Sequence, residues 1–406
     1  MTSYAALLGH QPRISLAELA ASLPDFTFRR MAGKHIAVFE TSADIAPKHL
    51  AQWGGTILIA RQIVSADVGM ADLPNILATE AEKLKGKITF SLRAVGVPPS
   101  LLRSAFRDCK LKLSKMGRAS RYVGNERKPA ATALLHDAGL LDGKHGCELT
   151  ILADEDFFWV GRTLAAQDID AYTMRDMDKP VRDTRVGLLP PKLAQIMLNF
   201  GLWLANDGCE KPLTTLRVFD PFCGTGVIPM EALVRKWPVL ASDVSLKAVN
   251  GCEKNLEWIR KKYDIKKRDV PSLTWKQDAL KSFALKEQPD VVVSETTLGP
   301  PLTARPTVKE AAKIRSECEK TEIAFLKNAA ATLPGIPLVL TLPVWFLRTG
   351  TVWLEKLLRD LPALGYTAVL PHGIEPEIPE RPTLLYRRPD QFVGRELLLL
   401  RPVKRR

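Results

Sequence analysis

The sequence predicts an α/β protein, with a doubly wound, mostly parallel sheet over its C-terminal half and an α+β region ahead of it. Three observations carry this expectation. From about residue 190, apolar β-type runs alternate with helical segments of ten or more residues, as in a parallel sheet joined by crossover helices. Before that point, short apolar alternations occur without such regular spacing. One β-type run, LRVFD (216–220), leads straight into a glycine turn and an apolar helix, the pattern of a ligand-binding strand end. A length of 406 residues suits two or three domains. Hydrophobic residues at 46% and charged residues at 25% exclude wholesale disorder.

In chain order, Ser15 followed by Glu18 predicts a capping box at the start of a first helix. Strands are expected at HIAVFE (35–40) and KITFSL (87–92). A hairpin is expected over 147–164, turning at Asp154–Asp156. The α+β module ends before the Pro- and Arg-rich segment at 175–191. Beyond it, LRVFD is followed by the helix VIPMEALVRK (227–236), the strand PVLASD (238–243) and a helix from Ser245 to about Lys262. Next come SLTWKQDA (272–279), PDVVVSE (289–295), a helix over about 308–333, PLVLTL (337–342), a helix at 351–361 and GYTAVL (365–370). Two closing runs, LLYRR and VGRELLLL, separated by Pro389-Asp390, predict an antiparallel terminal hairpin on the sheet's edge. No internal repeat is visible.

Fifty-eight Lys and Arg against 45 Asp and Glu give a net charge of +13, which favours a polyanionic partner. Arg103, Arg107, Lys110, Lys112, Lys115, Arg118, Arg121, Arg127 and Lys128 crowd one stretch of the first half, against only Asp108 and Glu126. A solvated helix face would show the same charges. The interspersed Gly117, Tyr122 and Gly124 suit a phosphate-contacting surface, so these basic residues are candidate RNA ligands. A second basic run, Lys254 to Arg268, extends such a track or forms an exposed helix face. The six cysteines lie far apart with no CxxC pair, and the histidines form no HxxxH element, so no metal site is expected. The opening residues lack the features of a signal peptide, and no apolar run approaches a membrane span. A soluble, cytoplasmic protein with free thiols is expected.

The most specific motif is Asp220-Pro-Phe-Cys-Gly-Thr-Gly226. Gly224 and Gly226 allow a tight turn and close approach of a ligand, and Pro229 suits the first turn of the next helix. A dinucleotide fingerprint needs a third glycine at position 229, and Asp220 would repel a pyrophosphate. A carboxylate there suits a cationic ligand, such as the amino and sulfonium groups of S-adenosylmethionine. Asp243, followed by Val244, ends the second strand and is placed to accept two ribose hydroxyls. Asp278 ends the third and can accept from an adenine amino group, with the Ala279 amide facing the ring. Asp220, Phe222, Cys223, Gly224, Thr225, Gly226, Asp243, Val244, Asp278 and Ala279 are therefore the candidate cofactor-binding residues. Within the cofactor turn, Cys223 is expected to pack rather than to act as a nucleophile.

The chain resembles the THUMP-domain tRNA guanine-N2 methyltransferase family. The resemblance rests on this motif, on Leu8-Gly-His-Gln-Pro-Arg-Ile-Ser-Leu-Ala-Glu-Leu19, on Arg175-Asp-Met-Asp-Lys-Pro-Val-Arg-Asp183 and on Gly187-Leu-Leu-Pro-Pro-Lys-Leu-Ala-Gln-Ile-Met197. It implies an RNA-binding region with a THUMP-like domain over 1–174, an interdomain segment over 175–195 and a Rossmann-like methyltransferase domain over 196–406. It also implies tRNA as partner, the amino group of the guanine at tRNA position 10 as acceptor and, for some members, a small activating subunit.

Where the family's fourth strand ends in Asp-Pro-Pro-Tyr, this chain has Glu295-Thr-Thr-Leu-Gly-Pro-Pro-Leu302. Glu295 occupies the acidic position, Thr296 and Thr297 replace the prolines, and Leu298 replaces the aromatic. An exocyclic purine amine is a weak nucleophile whose two N–H bonds need acceptors as nitrogen attacks. The Glu295 carboxylate and the Thr296 carbonyl are the candidates, with Leu298 packing on the extruded base. Two other readings stay open: a non-catalytic RNA-binding protein that lost its amine-activating loop, and a methyltransferase for another nucleic-acid amine. No cysteine lies between 252 and 318, which disfavours C5-pyrimidine chemistry.

Overall fold

Runs of alternating or continuous apolar residues form two sheets, and helices with one apolar stripe cover them. The computed structural model describes residues 1–64, 67–183, 188–389 and 391–403. They divide into two units, Met1–Ala171 and Tyr172–Arg406.

In the first unit the strands are β1 (Thr2–Leu8), β2 (Thr27–Ala32), β3 (Ile36–Thr41), β4 (Thr56–Gln62), β5 (Ile88–Val95), β6 (Ser120–Tyr122), β7 (Gly146–Asp154) and β8 (Phe157–Ala166). They form one sheet in the order β2-β3-β1-β4-β8-β7-β5-β6. β5 runs parallel to β6 and β7, and the other neighbours are antiparallel. The expected strands at 35–40 and 87–92 and the hairpin at 147–164 are all present. The helices are α1 (Pro12–Ser22), α2 (Pro47–Leu50), α3 (Leu73–Glu82), α4 (Pro99–Lys115) and α5 (Thr132–Asp137). α4 buries Leu102, Ala105, Phe106, Cys109 and Leu113, one stripe at three- and four-residue spacing, and leaves Arg103, Arg107, Lys110 and Lys115 outside.

The expected capping box at Ser15 is not formed. α1 starts at Pro12, so Ser15 lies inside it and donates its hydroxyl to the Gln11 carbonyl at 3.0 Å. Glu18 is fully buried and accepts the Gly54 and Gly55 amides at 2.9 and 2.8 Å. A tertiary turn has taken the carboxylate that local spacing assigned to the helix end.

α6 (Ile169–Met177) crosses the division between the units. The second unit continues with α7 (Pro191–Ala205), β9 (Val218–Asp220), α8 (Val227–Val234), β10 (Val239–Asp243), α9 (Leu246–Tyr263), β11 (Ser272–Lys276), β12 (Val291–Glu295) and α10 (Val308–Thr332). After these come β13 (Leu338–Phe346), β14 (Thr351–Val352), α11 (Glu355–Asp360), β15 (Tyr366–Ala368), β16 (Leu384–Tyr386) and β17 (Val393–Pro402). The sheet order is β11-β10-β9-β12-β13-β17-β15, parallel from β11 to β13. This is the doubly wound architecture with the antiparallel hairpin β16–β17.

Two details differ from expectation. β17 lies inside the sheet, antiparallel to both β13 and β15, rather than at its edge. Its run Leu397–Leu400 is wholly buried, so an edge position would have left apolar surface in water. The helix expected at 351–361 is only α11, because Thr351 and Val352 pair with β13 as β14. Asp390 of the hairpin connection lies outside the described residues.

The core of the second unit gathers Phe219, Val292, Phe325, Leu340 and Trp345 around the middle of the sheet. Beside it runs a buried polar network. Arg175 donates to Glu231 at 2.7 Å and to the Tyr263 hydroxyl at 2.8 Å, while Gln195 donates to Glu231 at 2.9 Å. Arg175 belongs to the segment that sequence alone reads only as interdomain.

Replacing Glu18 by Ala strands two buried amides and should destabilise the first unit by roughly 1–3 kcal/mol. Urea unfolding followed on Glu18→Ala and Glu18→Gln tests this. Wild-type midpoints for both variants would show that the 54–55 turn needs no acceptor.

Candidate functional site

In an open parallel sheet, ligands settle outside the carboxyl ends of the strands, where crossovers diverge to opposite sides. That divergence falls between β9 and β12 here, and a cleft of about 610 Å³ opens at it. Its wall includes Asp220, Phe222, Cys223, Gly224 and Thr225 after β9, Asp243 and Val244 after β10, and Glu295, Thr296 and Leu298 after β12. Gly226, Asp278 and Ala279 are not among its described lining residues. Asp278 accepts the Leu280 amide at 3.0 Å, and the Ala279 carbonyl accepts from Asn328 at 2.8 Å. A second, more apolar cleft of about 420 Å³ lies at the opposite strand ends, beside Val239, Leu273 and Trp275. It holds none of these strand-end carboxylates.

The turn after β9 is set by its glycines. Gly224 and Gly226 take φ of +50° and +86°, and a Cβ at Gly226 would lie 2.6 Å from the Cys252 sulfur. A Cβ at Gly224 would meet nothing within 4 Å, so the space before it is open to a ligand. Cys223 lines the cleft but is 5% exposed. The adjoining Cys252 thiol, together with burial, pushes the Cys223 thiol well up, which keeps Cys223 neutral and suited to packing.

Asp243 ties the turn to the next strand. It accepts the Gly224 amide at 3.0 Å and the Ser245 amide at 2.8 Å, one on each oxygen. Asp220 is deeper, 2% exposed, and accepts from the Ser294 hydroxyl at 2.6 Å and the Phe222 amide at 3.2 Å, both on Oδ1. Burial pushes its carboxyl up to about 7. A buried carboxyl facing a cleft with only neutral hydrogen-bond donors beside it is a site that a cation would complete.

Ahead of α7, residues 181–183 and 188–189 run along this cleft as a strap. Val181, Arg182, Asp183, Leu188 and Leu189 line it, while Gly187 of the family-like stretch lies outside the described residues. Asn255 anchors the strap: it accepts the Val181 amide at 2.9 Å and donates to the Val181 and Thr225 carbonyls at 2.9 and 2.8 Å. One buried amide side chain thus joins strap and turn. Gly251, one turn earlier, leaves room for Val181, whose Cγ1 would lie 3.0 Å from a Cβ there. The signal for Asn255 is a polar residue within the apolar stripe of α9, between Cys252, Leu256 and Ile259.

At the end of β12, Glu295 is ion-paired with Arg395 of β17, whose side chain is 5% exposed. Burial raises the Glu295 carboxyl and Arg395 opposes that rise. Arg395 also donates to the Leu188 carbonyl at 3.4 Å. Thr296 is 3% exposed, and its hydroxyl donates to the Thr341 carbonyl at 2.8 Å.

The basic candidates of the first unit divide by role. Arg107, Lys110 and Lys115 are exposed on α4 and Lys112 is half-buried there, while Arg103 pairs with Glu126 at 2.8 Å. Arg118 donates to the Ala81, Leu84 and Gly86 carbonyls, and Arg121 to the Thr89 hydroxyl, so both are engaged by their own unit. Tyr122, 48% exposed, packs on Phe106.

The fold and this cleft define a Rossmann-like, doubly wound α/β architecture. Across the whole chain the fold is similar to that of TrmN from Thermus thermophilus, at 17% identity and a TM-score of 0.50 over 99% of this chain and 100% of that one. A stretch of 71 residues, 18% of this chain and 18% of the relative's length, is 37% identical to tRNA (guanine(10)-N2)-dimethyltransferase of Methanothermobacter thermautotrophicus. No protein-family model matches the chain. The first similarity is one of fold, and the second, over 18% of each chain, agrees with the resemblance to tRNA guanine-N2 methyltransferases. Among the described residues, no helix is long and apolar enough to cross a membrane, and no cluster of His, Cys, Asp or Glu could hold a metal.

Arg395→Met should leave Glu295 buried without its cation and raise its carboxyl further, costing about 3–5 kcal/mol at neutral pH. A carboxyl raised in the folded state loses stability as pH climbs from its unfolded value toward its folded one. The deficit of this variant against wild type should therefore be larger at pH 8 than at pH 5. A deficit independent of pH in denaturant titrations would show that Glu295 is not the group affected.

Proposed function

We propose that the protein is an S-adenosylmethionine-dependent RNA methyltransferase that modifies a guanine N2 of tRNA, at a site of the position-10 type. One observation carries this reading: the buried Asp220, the hydrogen-bonded Asp243 and the Glu295–Leu298 loop all face one cleft. When bound, S-adenosylmethionine supplies an electrophilic methyl carbon on a sulfonium. The buried Asp220 meets the cationic end of that ligand. Asp243 keeps unused lone pairs on both oxygens for ribose hydroxyls, and Gly224 leaves the open space before the turn. Asp278 and Ala279, outside the described lining, enter this reading only as residues that would border the adenine.

For the acceptor, the chain offers two oxygens and a packing surface. The Glu295 carboxylate, paired with Arg395, accepts one N–H of the guanine amine, and the Thr296 carbonyl accepts the other. Both draw electron density toward nitrogen as it attacks. Leu298 packs on the extruded base, a weaker platform than an aromatic. The first unit, with its exposed α4 lysines and arginines and Tyr122, serves tRNA binding in the manner of a THUMP-containing region. A small activating subunit, implied by the family resemblance, is part of the same proposal.

The deciding experiment incubates purified protein with methyl-labelled cofactor and total tRNA, then maps the labelled nucleoside. N2-methylguanosine is the expected product. Label on another base amine would move the reading to a different acceptor, and tRNA binding without any transfer would favour a non-catalytic RNA-binding protein. In the same assay Glu295→Ala should cut turnover with little loss of cofactor affinity, whereas Asp243→Ala should abolish cofactor binding and spare tRNA affinity.

Cofactor affinity should also depend on pH. With the Asp220 carboxyl near 7 and only its ionised form competent, affinity for S-adenosylhomocysteine should rise roughly five- to tenfold from pH 6 to pH 7.5. Asp220→Asn should bind weakly at both pH values. A flat calorimetric profile in wild type would detach Asp220 from the ligand's cation.

A further inference from the structure

Behind the Thr296–Leu298 loop lies a carboxyl group to which the proposed chemistry assigns no part. α10 presents a buried stripe to the sheet: Ala311, Ile314, Cys318, Glu322, Phe325, Leu326 and Ala329. Glu322 is the one charged-type residue in it and is 0% exposed. Its oxygens sit by the Thr296 hydroxyl and the Thr297 amide without reaching well-aligned hydrogen bonds. The loop is pressed onto this stripe. Gly299 takes φ of +82°, and a Cβ there would lie 2.8 Å from Ile314, 3.5 Å from the Cys318 sulfur and 3.8 Å from Trp345. A larger residue at 299 would lift the loop away from Glu322.

Proton bookkeeping limits what Glu322 can be. The single hydroxyl proton of Thr296 goes to the Thr341 carbonyl. Toward Glu322, Thr296 Oγ1 therefore offers only lone pairs. An ionised carboxylate would oppose it with lone pairs of its own, whereas a neutral carboxyl can donate to Oγ1 and accept the Thr297 amide on its other oxygen. Burial supports the neutral form, pushing the group up to about 8. The groups that meet it from the loop, Thr296 and Thr297, carry no charge, and Cys318 one turn back is held as a neutral thiol near 12.

We infer that Glu322, as a neutral carboxyl, is a positioning residue that holds the Thr296–Thr297 backbone in place, so that the Thr296 carbonyl and Glu295 both face the cleft. The inference rests on the proposed methyl transfer for its functional consequence, but not for its structural content. The Thr296 hydroxyl already ties the loop to the Thr341 carbonyl on β13, and a proton donated by Glu322 to Thr296 Oγ1 would complete a chain that fastens the loop to helix and sheet together. Ionisation of Glu322 breaks that chain and releases the loop.

Two measurements on the full chain separate this inference from the function it deepens. In protein labelled with ¹⁵N-threonine, the Thr297 amide resonance should titrate near pH 8 in wild type and stay fixed over the same range in Glu322→Gln, which remains neutral and can still donate and accept. A Thr297 resonance that does not titrate in wild type, or that titrates equally in Glu322→Gln, overturns the inference whether or not the protein methylates RNA. In the tRNA assay at saturating cofactor, Glu322→Leu should lower kcat about 10- to 100-fold with cofactor affinity within twofold of wild type. Glu322→Gln should recover most of that loss and remove the fall in kcat above pH 8. Equal losses in the Leu and Gln variants would contradict a donor role. Absence of transfer by wild type, together with the expected Thr297 titration, would sink the proposed reaction and leave the positioning role standing.

Discussion

A carboxyl group buried at the carboxyl end of β9 sets the terms for the second unit. Asp220 is 2% exposed at the middle of a sheet whose neighbouring strands are apolar, and such a group destabilises the fold as an isolated anion. Ser294 and the Phe222 amide soften that cost without removing it. The imbalance that remains lies at the point where the sheet's crossovers diverge. The glycine turn exists to keep backbone close to that point while leaving space before it.

Around Asp220 the site is assembled by side chains that each fasten two pieces of backbone. Asp243 joins the turn after β9 to the start of α9, and Asn255 joins that turn to the 181–183 strap. Arg395 reaches from β17 to Glu295 and to the Leu188 carbonyl. Polar groups buried in this way cost desolvation, and they recover it only when every partner is in place. Their value here is geometric. Asp220, Asp243, Glu295 and Thr296, which follow three different strands, are held to one cleft.

How far this arrangement is legible in the sequence depends on how local each interaction is. The strand–helix alternation follows from periodicity over 5 to 25 residues, and most strands and helices of the second unit are read this way. The glycine turn and Asp243 sit at strand ends that the sequence marks directly. Arg395 escapes because its partner lies 100 residues away and nothing near it announces an ion pair, and Asn255 shows only as a polar residue in an apolar stripe, with its anchored stretch of backbone 74 residues away. Glu322 could be noticed only as a carboxylate within an apolar stripe. Ser15 and Glu18 show the opposite failure: their local spacing is that of a cap, yet the Gly54–Gly55 turn claims the carboxylate. β1 hides for a simpler reason. Its centre, Tyr4-Ala5-Ala6, has little β-branched character and is held in the sheet by its two antiparallel neighbours.

The position of β17 bears on how the molecule is made. Strands β9 to β12, with Asp220, Asp243 and Glu295, emerge from a ribosome well before the strand that threads between β13 and β15. Until Arg395 has been translated and β17 has inserted, Glu295 has no guanidinium beside it and the sheet has a gap. A polypeptide halted anywhere short of that strand would carry Asp220, Asp243 and Glu295 without the counter-ion of Glu295. The order of synthesis therefore places the carboxylate of this pair well ahead of its cation.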